Sequence, residues 1–170
     1  MEYAVLGWPP DGPTLRLDYR AFSYAGKFVM SSTGKAVARD GEELVAAIAF
    51  NEDRTDETTL WLRYVTVKKA RRGEGIGAEL VSFATDAAHE RGYETVKIAV
   101  NNPFAYEAVW KAGFGYTGEQ TGLAELVCAH PGDRSRDRYQ AGLDVFRSRD
   151  GLSAEELSFL EDRRSAQPPK

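Results

Sequence analysis

The feature that most constrains this chain is a change of hydrophobic period at residue 76. Before it, "TLWLRYVTV" (59–67) is a mostly apolar, β-branched and aromatic run of strand length. From Ile76 to Arg91 the apolar residues fall at 76, 80, 81, 83, 84, 87 and 88, which is helical spacing, and Gly92 stands where a helix stop belongs. The two patterns are joined by "KKARRGEG" (68–75), which is basic and rich in glycine. A strand that runs through a basic glycine turn into a helix presents backbone N–H groups and the positive end of a helix dipole to one place, where an anion binds well.

The rest of the chain divides around that junction. Residues 1–13 read as an irregular lead-in, because "WPPDGP" (8–13) removes donors and forces turns. "TLRLDY" (14–19) alternates apolar and polar and predicts a strand, with one short irregular helix near 20–32. "GKAVAR" (34–39) and "LVAAIAF" (44–50) predict a hairpin across the Asp-Gly turn at 40–41. After the helix at 76–91, "TVKIAV" (95–100) predicts a strand. "PFAYEAVWKA" (103–112) predicts a helix with Asn102 at its N-cap, Pro103 in its first turn and Gly113 after its end. "FGYT" (114–117) and "AELVCA" (124–129) predict two further strands, followed by a helix over about 137–148. "LSAEEL" (152–157) has a capping box, Ser153 with Glu156, opening a helix to about Arg164, and "AQPPK" (166–170) reads as a frayed tail. The expectation is one α/β domain over 1–130 with a helical extension over 131–170, packed on that domain or at a dimer interface.

Composition excludes several classes. At 170 residues and 42% hydrophobic the chain can bury a real core. A net charge of -4 argues against a general nucleic-acid binder, which needs many Lys and Arg contacts. The arginines at 134–149 offer at most a local patch, and "DRSRDR" (133–138) mixes signs like a solvated face. With one cysteine, Cys128, and two histidines, His89 and His130, no disulfide and no metal cluster is expected. No apolar stretch reaches membrane-spanning length and no leader is visible, so a cytoplasmic protein is expected.

Three anion-binding chemistries compete for the loop. A nucleotide phosphate loop fails, because its nearest match, "STGKA" (32–36), has Val29 for the leading glycine and Ala36 for the Ser/Thr. A dinucleotide loop matches the letters of "GEGIGA" (73–78) and has Glu94 downstream. However, "KKARR" separates the glycines from the strand, and Glu94 precedes the next strand rather than ending it. The pattern Q/R-x-x-G-x-G/A is met by Arg72, Gly75 and Gly77. In that arrangement a pyrophosphate rests on loop amides and the helix N-terminus, while Arg72 adds fixed charge.

"VTVKKARRGEGIGAEL" (65–80) resembles the acetyl-CoA-binding core of the GNAT superfamily of N-acetyltransferases, and "VNNPFAYEAVWKAGF" (100–114) resembles that superfamily's second motif. The resemblance implies a mixed, mostly antiparallel sheet flanked by helices. It implies that Val65, Thr66 and Val67 bond the pantetheine arm through their backbone. It further implies that Arg72, Gly73, Glu74, Gly75, Ile76, Gly77 and Ala78 hold the pyrophosphate, with Asn102 and Tyr106 near the pantetheine or adenine. The implied activity is direct acetyl transfer from acetyl-CoA to a primary amine of a small molecule or protein, without a metal and without nucleic acid or membrane as partner.

Two departures bear on the chemistry. Many such enzymes carry a tyrosine proton donor four residues before the Gly-Phe pair, where this chain has Val109. Tyr106, one turn earlier, is the substitute candidate, against a packing role. The strand before the loop has Arg63 and Tyr64 where a carboxylate base is often found, leaving Tyr64, a water chain or the turn acids Glu52, Asp53 and Glu57. These departures keep a second reading open, a non-catalytic acyl-CoA-binding regulatory module, and a nucleic-acid-associated protein on the same scaffold stands as a third.

Overall fold

The computed structural model describes residues 1–170. The chain has a mixed α/β architecture of seven strands and four α-helices, divided into two compact units, Met1–Lys97 and Ile98–Lys170. No helix is long and apolar enough to cross a membrane.

The first unit is an antiparallel meander. β1 (Glu2–Gly7) pairs with β2 (Gly34–Asp40), β2 with β3 (Glu43–Glu52), and β3 with β4 (Thr59–Val67). The lead-in expectation for 1–13 is therefore corrected: residues 2–7 form a strand, and only residues 8–13 are irregular. Its four consecutive apolar residues, Tyr3 to Leu6, hid the strand because both faces are covered. Tyr3 stacks on Phe83 of α1 (Ile76–Arg91), while Ala4 and Leu6 pack on the opposite face.

That opposite face carries a core of Phe28, Val37, Ala47 and Ala49, with Leu15, Leu17, Leu44 and Tyr64 packed against it. Leu15 and Leu17 account for the alternation at 14–19, which nevertheless forms no strand. Its register with the sheet is absent; Leu15 N–H donates instead to Phe28 O at 2.8 Å, and Thr14 Oγ1 to Val29 O at 2.9 Å. A period of two reports one-sided burial, and an extended strap satisfies it as well as a strand. The strap includes a 3-10 turn, Ala25–Val29, near the irregular helix expected there. Its far end is held by Lys35, a fully buried lysine whose Nζ donates to Met30 O (2.7 Å), Thr33 O (2.9 Å) and Thr33 Oγ1 (2.7 Å). Burial without a carboxylate partner lowers the pKa of that amine.

β4 is not regular. Ala49 pairs with Tyr64 and the next residue, Phe50, with Leu62, so Arg63 is an additional residue in the ladder, a bulge. Beyond it Tyr64 and Thr66 face the strap side, in register with Ala49 and Ala47 of the core.

β5 (Thr95–Val100) contains the division between units. The second unit comprises α2 (Pro103–Lys111), the antiparallel pair β6 (Gly115–Gln120) and β7 (Leu126–His130), α3 (Arg136–Arg147) and α4 (Ala154–Asp162). Asn102 caps α2 by accepting from Ala105 N–H at 2.8 Å, and Gly113, at φ 101°, ends it. The capping box of α4 forms as expected, with both Ser153 and Glu156 hydrogen bonds present. Tyr106, Trp110, Tyr139 and Phe146 make a buried aromatic core. A buried carboxylate, Glu107, accepts from Tyr139 Oη at 2.5 Å and Arg163 Nε at 3.1 Å, so α2 is fastened to α3 and to the end of α4.

Two expectations about the C-terminal region need correction. Arg134 is no solvated charge: its guanidinium donates to the carbonyls of Trp110, Phe114 and Pro169, and lies 5.0 Å from the Trp110 ring. Nor is the tail frayed, since Gln140 Nε2 donates to Arg163 O and Ala166 O, both at 2.9 Å.

Candidate functional site

The loop after β4 is built from conflicting demands that only its sequence resolves. A short 3-10 turn, Lys69–Arg71, leads to Gly73 and Gly75 at φ 87° and 81°, left-handed conformations that cost a side-chain-bearing residue about 1 kcal/mol or more. A Cβ at either glycine would meet nothing within 4 Å, so both are there for backbone conformation and not for packing. Gly77 differs: its Cβ would stand 3.3 Å from Val67 Cγ2, a tight approach of helix to strand.

α1 begins at Ile76 with no side chain capping it. Its first internal bond beyond the cap is Glu79 N–H to Gly75 O at 3.1 Å, so the amides of Ile76, Gly77 and Ala78 have no intrahelical acceptor. The two arginines play different parts. Arg71 is neutralised by Glu74 (3.0 Å) and Asp40 (3.1 Å), which hold its pKa above the ordinary value. The Glu74 side chain is thus a brace for the loop, and only its backbone can serve an anion. Arg72 is exposed and makes one side-chain contact, Nη2 to Ser23 Oγ at 2.9 Å. Uncapped amides, open glycines and an unneutralised guanidinium fit a pyrophosphate.

Val65 and Val67 are half-buried at the end of β4, while Thr66 is buried and its Oγ1 has no hydrogen-bond partner. An orphaned buried hydroxyl costs about 1–3 kcal/mol and therefore asks for an explanation. Tyr64, half-buried, meets Tyr24 of the strap with ring centroids 5.7 Å apart, and Lys27 Nζ lies 5.6 Å from the Tyr64 centroid. Tyr24 is left-handed at φ 61° without being glycine, and 59% exposed. The strap is tied to the loop twice, by the Arg72–Ser23 bond and by Lys69 N–H to Ala21 O at 2.8 Å. Sequence reasoning missed Ser23, Tyr24 and Lys27, because their partners lie on a distant strand and no local pattern announces them.

Two of the turn acids, Asp53 and Glu52, have other work. Asp53 accepts from Trp61 Nε1 (2.7 Å), Thr55 N–H (2.9 Å) and Thr55 Oγ1 (2.8 Å), which lower its pKa to about 2. A carboxylate so stabilised is a poor base. Glu52 accepts from Tyr93 Oη at 2.8 Å; burial first, then this contact, raises the tyrosine to about 12.

In the second unit, Asn102 is an exposed cap and Val109 is buried. Tyr106 is fully buried, and its hydroxyl donates to Tyr139 O at 3.0 Å, with Arg138 O at 3.4 Å. Desolvation, the largest cause, pushes its pKa far above the ordinary phenol. Of the two roles open to Tyr106, this geometry favours packing over proton donation. Cys128 is likewise core, its thiol pushed up to about 12 by burial.

A family model described as the acetyltransferase (GNAT) family matches residues 2–116. No curated protein matches in sequence. Among solved structures, an IAA acetyltransferase from Bacillus cereus superposes with TM-score 0.56 at 17% identity, over 75% of this chain and 98% of that one. A Bacillus subtilis acetyltransferase in complex with CoA gives 0.50 at 19% identity, over 57% and 75%. The chain spans 64% of a nourseothricin acetyltransferase (TM-score 0.49, 24% identity, 57% of this chain). At these identities the first two show the fold.

Proposed function

The chain belongs to the GNAT acetyltransferase family, and from that premise we propose that it moves the acetyl group of acetyl-CoA to a primary amine by direct transfer. One observation carries the reading: the uncapped N-terminus of α1, behind two left-handed glycines that face open space and beside Arg72.

In this reading the amides of Ile76, Gly77 and Ala78, with the backbone of Gly73 to Gly75, hold the pyrophosphate, and the Arg72 guanidinium turns from Ser23 to a phosphate oxygen. The backbone of Val65, Thr66 and Val67 aligns the pantetheine arm. Acetyl-CoA supplies the thioester carbonyl that the amine attacks. Tyr64, next to that backbone and partly open, meets the amine and relays its proton to water. Holding two reactants together supplies much of the acceleration, so few side chains are needed. Tyr106 has no part as donor; it supports α2 from behind.

Amine-dependent release of free CoA thiol tests the activity, alongside calorimetric binding of acetyl-CoA. The occupied Tyr106 hydroxyl and the buried Val109 favour one alternative, an acyl-CoA-binding regulatory module. Tight acetyl-CoA binding without thiol release across a broad amine panel is its signature, and turnover of any amine removes it.

A further inference from the structure

The side-chain contacts around Tyr64 deepen the acetyltransferase reading, on which the acceptor assignment rests, by naming the class of amine. Tyr24 and Lys27 are three residues apart, and Lys27 N–H donates to Tyr24 O at 2.8 Å across the first 3-10 turn of the strap. The ring of Tyr24 and the ammonium of Lys27 reach the same place. That place is the ring of Tyr64. Lys27 and Tyr24 are both exposed, and no carboxylate forms an ion pair with Lys27. The ammonium is held over an aromatic face by the ring quadrupole instead.

A second observation points to the same face. Thr66 lies two residues beyond Tyr64 on the strap side of β4, and its buried hydroxyl has no partner. A hydroxyl can accept from an N–H donor or donate to a neutral amine nitrogen. Strain at the same point, the left-handed Tyr24, marks a conformation kept by its surroundings and not by local preference.

We propose that Tyr64 and Tyr24 form an ammonium-binding platform for the acceptor, and that Lys27 occupies it in the free protein as an internal stand-in. The acceptor class comes from the stand-in: a primary amine at the end of an unbranched alkyl chain, as in a lysine side chain or an alkyl diamine. Arrival of the acceptor displaces Lys27. The ammonium loses a proton to water through Tyr64, and the neutral nitrogen attacks the thioester carbonyl. The N–C bond forms, the C–S bond breaks, the thiolate takes up a proton and the amide nitrogen gives one up.

Tyrosine ring resonances of the protein, titrated with n-butylammonium without cofactor, test the platform by itself. Lys27→Ala removes the competitor and is expected to tighten n-butylammonium binding by about two- to fivefold, the size of an exposed cation–π contact. n-Butanol should shift nothing, and Tyr24→Ala should weaken binding even where Tyr64→Leu proves too disruptive to fold. Equal affinity in wild type and Lys27→Ala, or butanol matching the ammonium, overturns the proposal. Turnover of n-butylamine and of a lysine tripeptide then separates the sources. The substrate with the higher kcat/KM names the natural class, and its KM should fall in Lys27→Ala while acetyl-CoA affinity stays unchanged. Failure to bind acetyl-CoA would sink the acetyltransferase reading and leave the amine titration standing.

Discussion

Gly75 and Gly142 are both glycines at helices, and they are irreplaceable for opposite reasons. Gly75, in the first unit, sits at φ 81° with open space where a Cβ would be. Gly142, buried within α3 of the second unit, would put its Cβ 2.1 Å from Tyr106 Oη. The first keeps room for something the chain does not itself provide. The second lets a tyrosine enter a helix face. One region leaves open space and the other is filled by its own side chains.

The largest expected effect on stability breaks the second half of that contrast. Helix propensity alone predicts that Gly142→Ala gains about 1 kcal/mol. The clash with Tyr106, whose hydroxyl is pinned to α3, should outweigh it and give a net loss of about 2 kcal/mol. A urea midpoint that rises would show that α3 can shift away. Gly75→Val tests the other half. The left-handed penalty of about 1 kcal/mol leaves the fold largely intact, while acetyl-CoA affinity in calorimetry should fall by at least about a hundredfold. Retained affinity would refute the cradle.

Tyr106→Phe is a smaller change that sharpens the comparison. Losing one buried hydrogen bond should cost about 1 kcal/mol of stability and leave kcat unaltered. A tenfold fall in kcat with little change in stability would restore Tyr106 as proton donor. The smallest effect concerns Asp53. Its folded pKa is depressed to about 2, so its contribution is complete above the unfolded value near 4 and lost as pH falls toward 2. Asp53→Asn should flatten the acid limb of stability over that window, read through Trp61 fluorescence; an unchanged limb would show that the Trp61 bond does not matter.

Legibility followed the same divide. The glycines and proline that punctuate 68–78 and 102–113 act locally, so α1, β5 and α2 could be read almost to the residue. β1 and the strap could not, because alternation says which side chains are buried and not whether a neighbouring strand takes the backbone bonds. The loop half of the candidate site was legible for the same reason. Tyr24 and Lys27 were not, since their contact with Tyr64 joins a turn to a distant strand. Arg134 shows the failure at its plainest: within a mixed-sign run, nothing marks the one guanidinium that gathers three carbonyls.

The bulge at Arg63 means that positions in β4 are counted from two origins. Deleting Arg63 would leave every cross-strand partnership of the meander in place and subtract only local coiling. Deleting a residue from Val65 to Val67 with the bulge kept would instead turn the side chains beyond it to the wrong face. Natural length variation in this strand should therefore be absorbed at that single residue, and Tyr64 and the backbone of Val65 to Val67 would keep their register together.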